Sequence, residues 1–266
     1  FLFIPRLISA LFGTLTILVI YKITHILFLK QSISIIAAFL GAVSFNLVHI
    51  SHFGKPWSAA LFFMMIAVYF AIKKKTFQSF CAAVISYGFH QVGILILPLL
   101  VLFTFKEKVK LTLGLVIFFA ATFILNMLTL RSGIIESIKG GQSFLKTNTV
   151  IFDVISGQLS FASVLPTFSN NLLYYFAVNF SVTDGVILIF GVLALGLFLK
   201  SDKHKILAVY CFIYLIFASL FFHPLLRYLL PFVVLVIPFA AWGIVKIAIG
   251  QKFLFYGLLF LASINS

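Results

Sequence analysis

Phe45 to Trp57 reads FNLVHISHFGKPW, with two histidines, a lysine, a proline and a tryptophan between two long apolar runs. The flanking runs decide the fold. Ile33 to Ile50 and Ser58 to Ile72 carry no charged side chain apart from His49, and apolar residues occupy every helix face rather than one stripe. Such segments are buried on all sides or face lipid. Across the 266 residues, 63% are hydrophobic and only 9% charged, with a mean hydropathy of +1.23. An ordinary soluble chain is about 25% charged, and few soluble cores could cover 35 phenylalanines. The reading is an all-α polytopic membrane protein. The formal net charge of +14 then concerns which side of the bilayer the lysines occupy, not nucleic acid, which is not expected as a partner.

A spanning helix needs about 20 apolar residues, and breaks fall at charged clusters. Spans are expected at 7–24, 33–50, 58–72, 78–90, 93–105, 111–129, 183–199, 206–222, 228–248 and 253–266, about nine to ten transmembrane or re-entrant helices in one membrane domain covering 1–266. With the N-terminus outside, thirteen basic residues fall on cytoplasmic turns: Lys22, Lys30, Lys73, Lys74, Lys75, Lys106, Lys108, Lys110, Lys200, Lys203, Lys205, Lys246 and Lys252. Six fall outside: Arg6, Lys55, Arg131, Lys139, Lys146 and Arg227. Basic loops stay cytoplasmic, so this orientation is expected, in a bacterial plasma membrane. Cys81 and Cys211 lie within apolar runs and read as small core residues.

Only 30 residues separate Lys75 from Lys106, whereas two full crossings need about 40. A short or re-entrant hairpin is predicted, with Gly88, His90, Gln91 and Gly93 at its apex and Pro98 on the return. Polar backbone below the membrane surface must face protein or water, and such interrupted segments often border binding sites. An external interfacial loop is expected at about 131–171, and Leu172 to Ser181 would continue along the surface.

This topology sorts the chemistry. His25 and His204 fall on the cytoplasmic side, and His49, His52, His90 and His223 outside, together with Arg6, Lys55, Arg227, Glu136, Asp153 and Asp184. Ionisable groups in a membrane domain are costly and each is a functional candidate. His49 and His52, three apart, share a helix face. With Lys55 they form a cationic corner suited to a lipid phosphate, although a snorkelling lysine and an interfacial tryptophan anchor would produce the same residues. The four histidines could ligate zinc, but no cysteine or close carboxylate completes the set, so no metal or other cofactor is expected.

Three stretches resemble the polytopic GT-C glycosyltransferases, the class of the protein O-mannosyltransferases and lipid A aminoarabinose transferases. Pro5-Arg6-Leu7-Ile8-Ser9-Ala10-Leu11-Phe12-Gly13 is similar to the opening of that family's second helix. Ile36 to Tyr69 resembles the next two helices, with Ser51-His52-Phe53 near a Ser-Arg pair of many members. Arg227-Tyr228-Leu229-Leu230-Pro231 followed by Pro238 is similar to a late membrane helix. The resemblance implies transfer of a sugar from a polyprenyl-phosphate donor to a protein, lipid or glycan acceptor on the external face. It also implies that the family's acidic base lies in a loop upstream of Phe1, so that this chain is an N-terminally truncated piece. Gly54-Lys55-Pro56 stands where many members carry a further acid. The implied donor-phosphate contacts are Arg6, Lys55, Arg227, His49 and His52. His90, Gln91, Trp57 and His223 would line the cavity, and His52, His90 and Asp184 are the secondary catalytic candidates. Lys73-Lys74-Lys75 through Phe89-His90 to Leu97-Pro98 also resembles polysaccharide polymerases that join lipid-linked repeat units. A lipid or oligosaccharide transporter is the alternative from another class.

Overall fold

The computed structural model describes residues 3–130, 164–182, 184–199, 204–220 and 226–247. Among these, every regular element is helical. The helices are α1 (Phe3–Phe28), α2 (Gln31–Val43), α3 (Phe45–His52), α4 (Trp57–Ile72), α5 (Thr76–Phe89), α6 (Leu97–Thr104) and α7 (Lys108–Leu130), followed by α8 (Val164–Val182), α9 (Gly185–Phe198), α10 (Lys205–Ala218) and α11 (Leu226–Ile247). A 3-10 segment, Gln91–Ile96, joins α5 to α6.

Among the described residues three helices are long and apolar enough to cross a membrane: Phe3–Phe28, Lys108–Leu125 and Leu229–Lys246. The bent pair α2 and α3 makes a fourth if it counts as one span. The other expected transmembrane or re-entrant segments among the described residues are shorter. Trp57–Ile72, Gly185–Phe198 and Lys205–Ala218 are apolar but only 16, 14 and 14 residues long. At 1.5 Å per residue they reach about 21–24 Å, less than a hydrocarbon core of about 30 Å. Lipid-facing character shows directly on α1 and α7. Phe3, Leu7, Leu11 and Leu18 are exposed on the first, and Val109, Leu113, Val116, Phe119 and Phe123 on the second, with Val109 83% exposed. Large apolar patches of this kind are unfavourable in water and neutral in lipid.

Helix α11 is the pole of the bundle. Leu229, Leu230 and then Phe232 to Ala241, Pro238 aside, are core residues, and the helix packs against α9, α2, α10 and α1. Its apolar residues leave no polar face to turn outward, so it sits inside. Contact with α9 is close because small residues permit it: a Cβ on Gly191 would collide with Val236, and one on Gly243 would lie 3.1 Å from the Phe190 carbonyl. In the other half α4 packs on α5 and on α1, and α5 on α7. Two serines of α5 bond to carbonyls of α4, Ser79 to Ala67 at 2.7 Å and Ser86 to Ala60 at 2.8 Å. Such bonds hold helices together where burial of apolar area gives no drive.

The basic turns meet at one end. A cleft there draws its walls from the end of α1, the α4–α5 turn, the α6–α7 turn and the start of α10. His204 fixes the same end by a 2.9 Å bond between its Nε2 and the Leu27 carbonyl, with its ring stacked on Phe28. At the opposite end lie the start of α1 and the end of α3. These are called the lysine end and the histidine end below.

The hairpin predicted between Lys75 and Lys106 is present as α5, the 3-10 segment and α6, with Pro98 in the first turn of α6. Gly93 is required at the crossing. A Cβ there would approach the Tyr87 nitrogen to 2.5 Å and the Ser86 hydroxyl to 2.6 Å. The expected single span 33–50 is instead broken at Ser44, with α2 and α3 meeting at 52°. Of the expected external loop, 131–163 lies outside the described residues, and from Val164 the chain is already the helix α8. That helix reaches α10 through Asn171, whose Nδ2 donates to the Ser219 carbonyl at 3.0 Å. The expected span 253–266 also lies outside the described residues.

Candidate functional site

Helix α3 organises the site, because its two ends gather different sets of polar groups. At its start, Ser44 is the N-cap and its Oγ accepts from the Leu47 N–H at 3.4 Å. The carboxylate of Asp184, the residue before α9, completes this corner. Its Oδ2 accepts from the Ser44 hydroxyl at 2.9 Å and from Asn46 Nδ2 at 3.0 Å, and its Oδ1 accepts from the Phe45 N–H at 3.0 Å. Asp184 is only 4% exposed. The corner works because a helix N-terminus presents unpaired N–H groups and a partial positive charge to the anion. α2, 13 residues, runs from the lysine end to the corner, and α9, 14 residues, runs from the corner back toward the lysine end, so about 20 Å of helix separates the two. The carboxylate therefore sits well inside the bundle, where an ion persists only if fully hydrogen-bonded.

Asp184 was a candidate base facing outward. Buried and engaged on both oxygens, it ties α9 to the break between α2 and α3. The sequence carried no local sign of that role, because its partners lie about 140 positions away.

At the far end of α3, Arg6, His49 and His52 line one groove of about 480 Å³ with Phe3, Leu7, Ala10 and Phe53. Each is placed by a local cause. His49 and His52 occupy one helix face at i, i+3. His49 is held between two rings, stacked on Phe45 at 5.2 Å and edge-on to Phe53 at 4.5 Å. His52 is oriented by its Nδ1, 2.8 Å from the Val48 carbonyl. With Nδ1–H donating to that carbonyl, Nε2 is left for a ligand. Arg6 stands in the first turn of α1, where the helix dipole opposes a cation, and among the described residues no acid pairs with it. An anion in the groove would relieve both conditions.

The wall between α1 and the α3–α4 corner is closely fitted. Ser9 Oγ lies 2.6 Å from Ser58 Oγ and donates to the Ile50 carbonyl at 3.4 Å. A Cβ on Gly13 would collide with the Ser51 hydroxyl. Gly54, at φ 63°, turns the chain between α3 and α4, and a Cβ there would meet the Arg6 backbone nitrogen at 3.2 Å. The arginine and histidines are thus carried on backbones in direct contact.

Other candidate residues are distributed as follows. Lys55 is exposed just beyond the groove, its Nζ 5.8 Å from the centre of the Phe53 ring. His90 and Trp57 pack on each other with ring centres 3.9 Å apart, and His90 Nδ1 accepts from the Val92 N–H at 3.1 Å, capping the 3-10 segment. Neither lines the Arg6 groove, and nor does the exposed Gln91. The backbone of Arg227 opens α11, whereas His223 lies outside the described residues. Among the described residues no group of three metal-ligating side chains converges. Comparison of the chain with protein families, with curated proteins and with solved structures finds no match.

Proposed function

We propose that the chain is the donor-binding membrane part of a glycosyltransferase that uses a polyprenyl-phosphate-linked sugar. The observation that supports this reading is the groove at the histidine end, which joins an arginine with no acid partner among the described residues and two histidines to an apolar wall. A polyprenyl phosphate has the matching form, an anion on a long hydrocarbon. Arg6 would hold two phosphate oxygens at once and His52 would donate from Nε2. Phe3, Leu7 and Phe53 would lie along the first isoprene units. The exposed apolar flank of α1 gives the remaining chain a path along the bundle surface. Transfer would take place on the external face, with the lysine end cytoplasmic. The catalytic base of such an enzyme is not assigned to any residue of this chain.

The test is reconstitution of the protein in liposomes holding a radiolabelled polyprenyl-phosphate hexose and a crude acceptor fraction. The reading predicts loss of lipid-linked label, its appearance in acceptor and release of polyprenyl phosphate. Growth of polyprenyl-diphosphate oligosaccharides would instead identify a polymerase. Movement of intact lipid between leaflets without sugar transfer would identify a transporter, and either result would overturn the proposal.

A further inference from the structure

At the lysine end two grooves share one edge. The larger, about 530 Å³, has Lys74, Thr76 and Lys106 at its rim and Ile72, Phe103 and Ile206 in its walls. The smaller, about 250 Å³, shares Lys74 and Thr76 and runs toward Leu113 and Ile117. Glu107 also reaches the larger groove, but its carboxylate is paired with Lys110 at 2.8 Å. The uncompensated charge at the shared edge is therefore positive.

We infer that this edge binds a diacyl anionic phospholipid, the phosphate between Lys74 and Lys106 beside the Thr76 hydroxyl, with one acyl chain entering each groove. One anion flanked by two hydrocarbon chains matches one cationic edge flanked by two apolar grooves. Basic recesses between helices at the membrane boundary recognise lipid phosphates in this way, each lysine adding attraction at close range. The backbone adds a second observation. Lys74 lies at φ 58° in the left-handed region, as the residue that ends α4 in a Schellman turn. The bonds of that turn run from the Lys75 N–H to the Phe70 carbonyl and from the Lys74 N–H to the Ala71 carbonyl, both 2.9 Å. Glycine adopts this conformation freely, so a lysine here places charge at the groove edge against the local backbone preference. This site is independent of the proposed donor groove, which lies at the opposite end of the bundle.

The experiment is native mass spectrometry of the full chain in detergent, titrated with dioleoyl phosphatidylglycerol or dioleoyl phosphatidylcholine. Wild-type protein should retain the anionic lipid in preference. K74G and K106Q should each lower its apparent affinity by roughly fivefold, the effect of one interfacial lysine. K30Q, an exposed lysine at the same end that lines neither groove, should bind like wild type. K74G suits the backbone it replaces, and K106Q tests the other turn if K74G alters folding. Equal binding of the two lipids, or unchanged affinity in both K74G and K106Q, would overturn the inference. So would inorganic phosphate raising the melting temperature as much as the lipid, because the site would then be one for a soluble anion.

Discussion

The two ends of α3 hold similar polar chemistry in opposite states. At the start, Ser44, Asn46 and the Phe45 N–H all meet the Asp184 carboxylate, and the ion is enclosed. At the end, Arg6, His49 and His52 face a groove that no acid enters among the described residues. A satisfied buried ion holds helices together, whereas a cation that meets no acid among the described residues keeps its donors open toward the groove. The distinction lies in partners and not in residue type.

The comparison breaks most severely at the closed end. Asp184→Ala removes the acceptor shared by the Ser44 hydroxyl, the Asn46 amide and the Phe45 N–H and should cost about 3 kcal/mol or more, read as a large fall in melting temperature in detergent. If it melts like wild type, the corner does not hold the fold together. Gly191→Leu attacks the same corner indirectly, since α9 delivers Asp184 and packs on α11 only because Gly191 admits Val236. Overpacking should cost about 2 kcal/mol by chemical unfolding, while Gly196→Leu, on open surface of the same helix, should cost far less. At the open end the effects should appear in binding and not in stability. His52→Ala should weaken polyprenyl-phosphate binding by about tenfold, one hydrogen bond to an anion, with an unchanged melting temperature. A drop in melting temperature matching that of Asp184→Ala would erase the contrast. Smallest of all, Ser9→Ala should cost about 0.6 kcal/mol by removing the hydroxyl pair with Ser58 between α1 and α4, measured by unfolding.

How far the sequence could be read follows the range of the forces involved. Helix ends marked by lysine clusters were legible, because charge limits a membrane segment locally. The α5–α6 hairpin was legible from chain length alone, together with Gly93 and Pro98. His49 and His52 could be paired from their spacing. The break at Ser44 was not legible: Val43-Ser44-Phe45 contains neither glycine nor proline, and the bend depends on a carboxylate from a remote helix. Nor was the short reach of α9 and α10, since apolar runs of 14 residues read as parts of spans, and the contacts at their ends, Asp184 to the start of α3 and Asn171 to the Ser219 carbonyl, come from remote parts of the chain. His90 combined both cases. Its place at a polar apex was predictable, but its stacking on Trp57 depends on how the hairpin folds back on the α4 entrance.

The most direct test of the central proposal is the affinity of wild-type and Arg6→Gln protein for polyprenyl phosphate, with the unphosphorylated polyprenol as reference. The account predicts that wild type prefers the phosphate by tenfold or more, about the contribution of a charge-assisted pair, and that Arg6→Gln abolishes this preference while leaving polyprenol binding and melting temperature unchanged. Equal affinity of the wild type for the two lipids, or a preference that survives in Arg6→Gln, would contradict it.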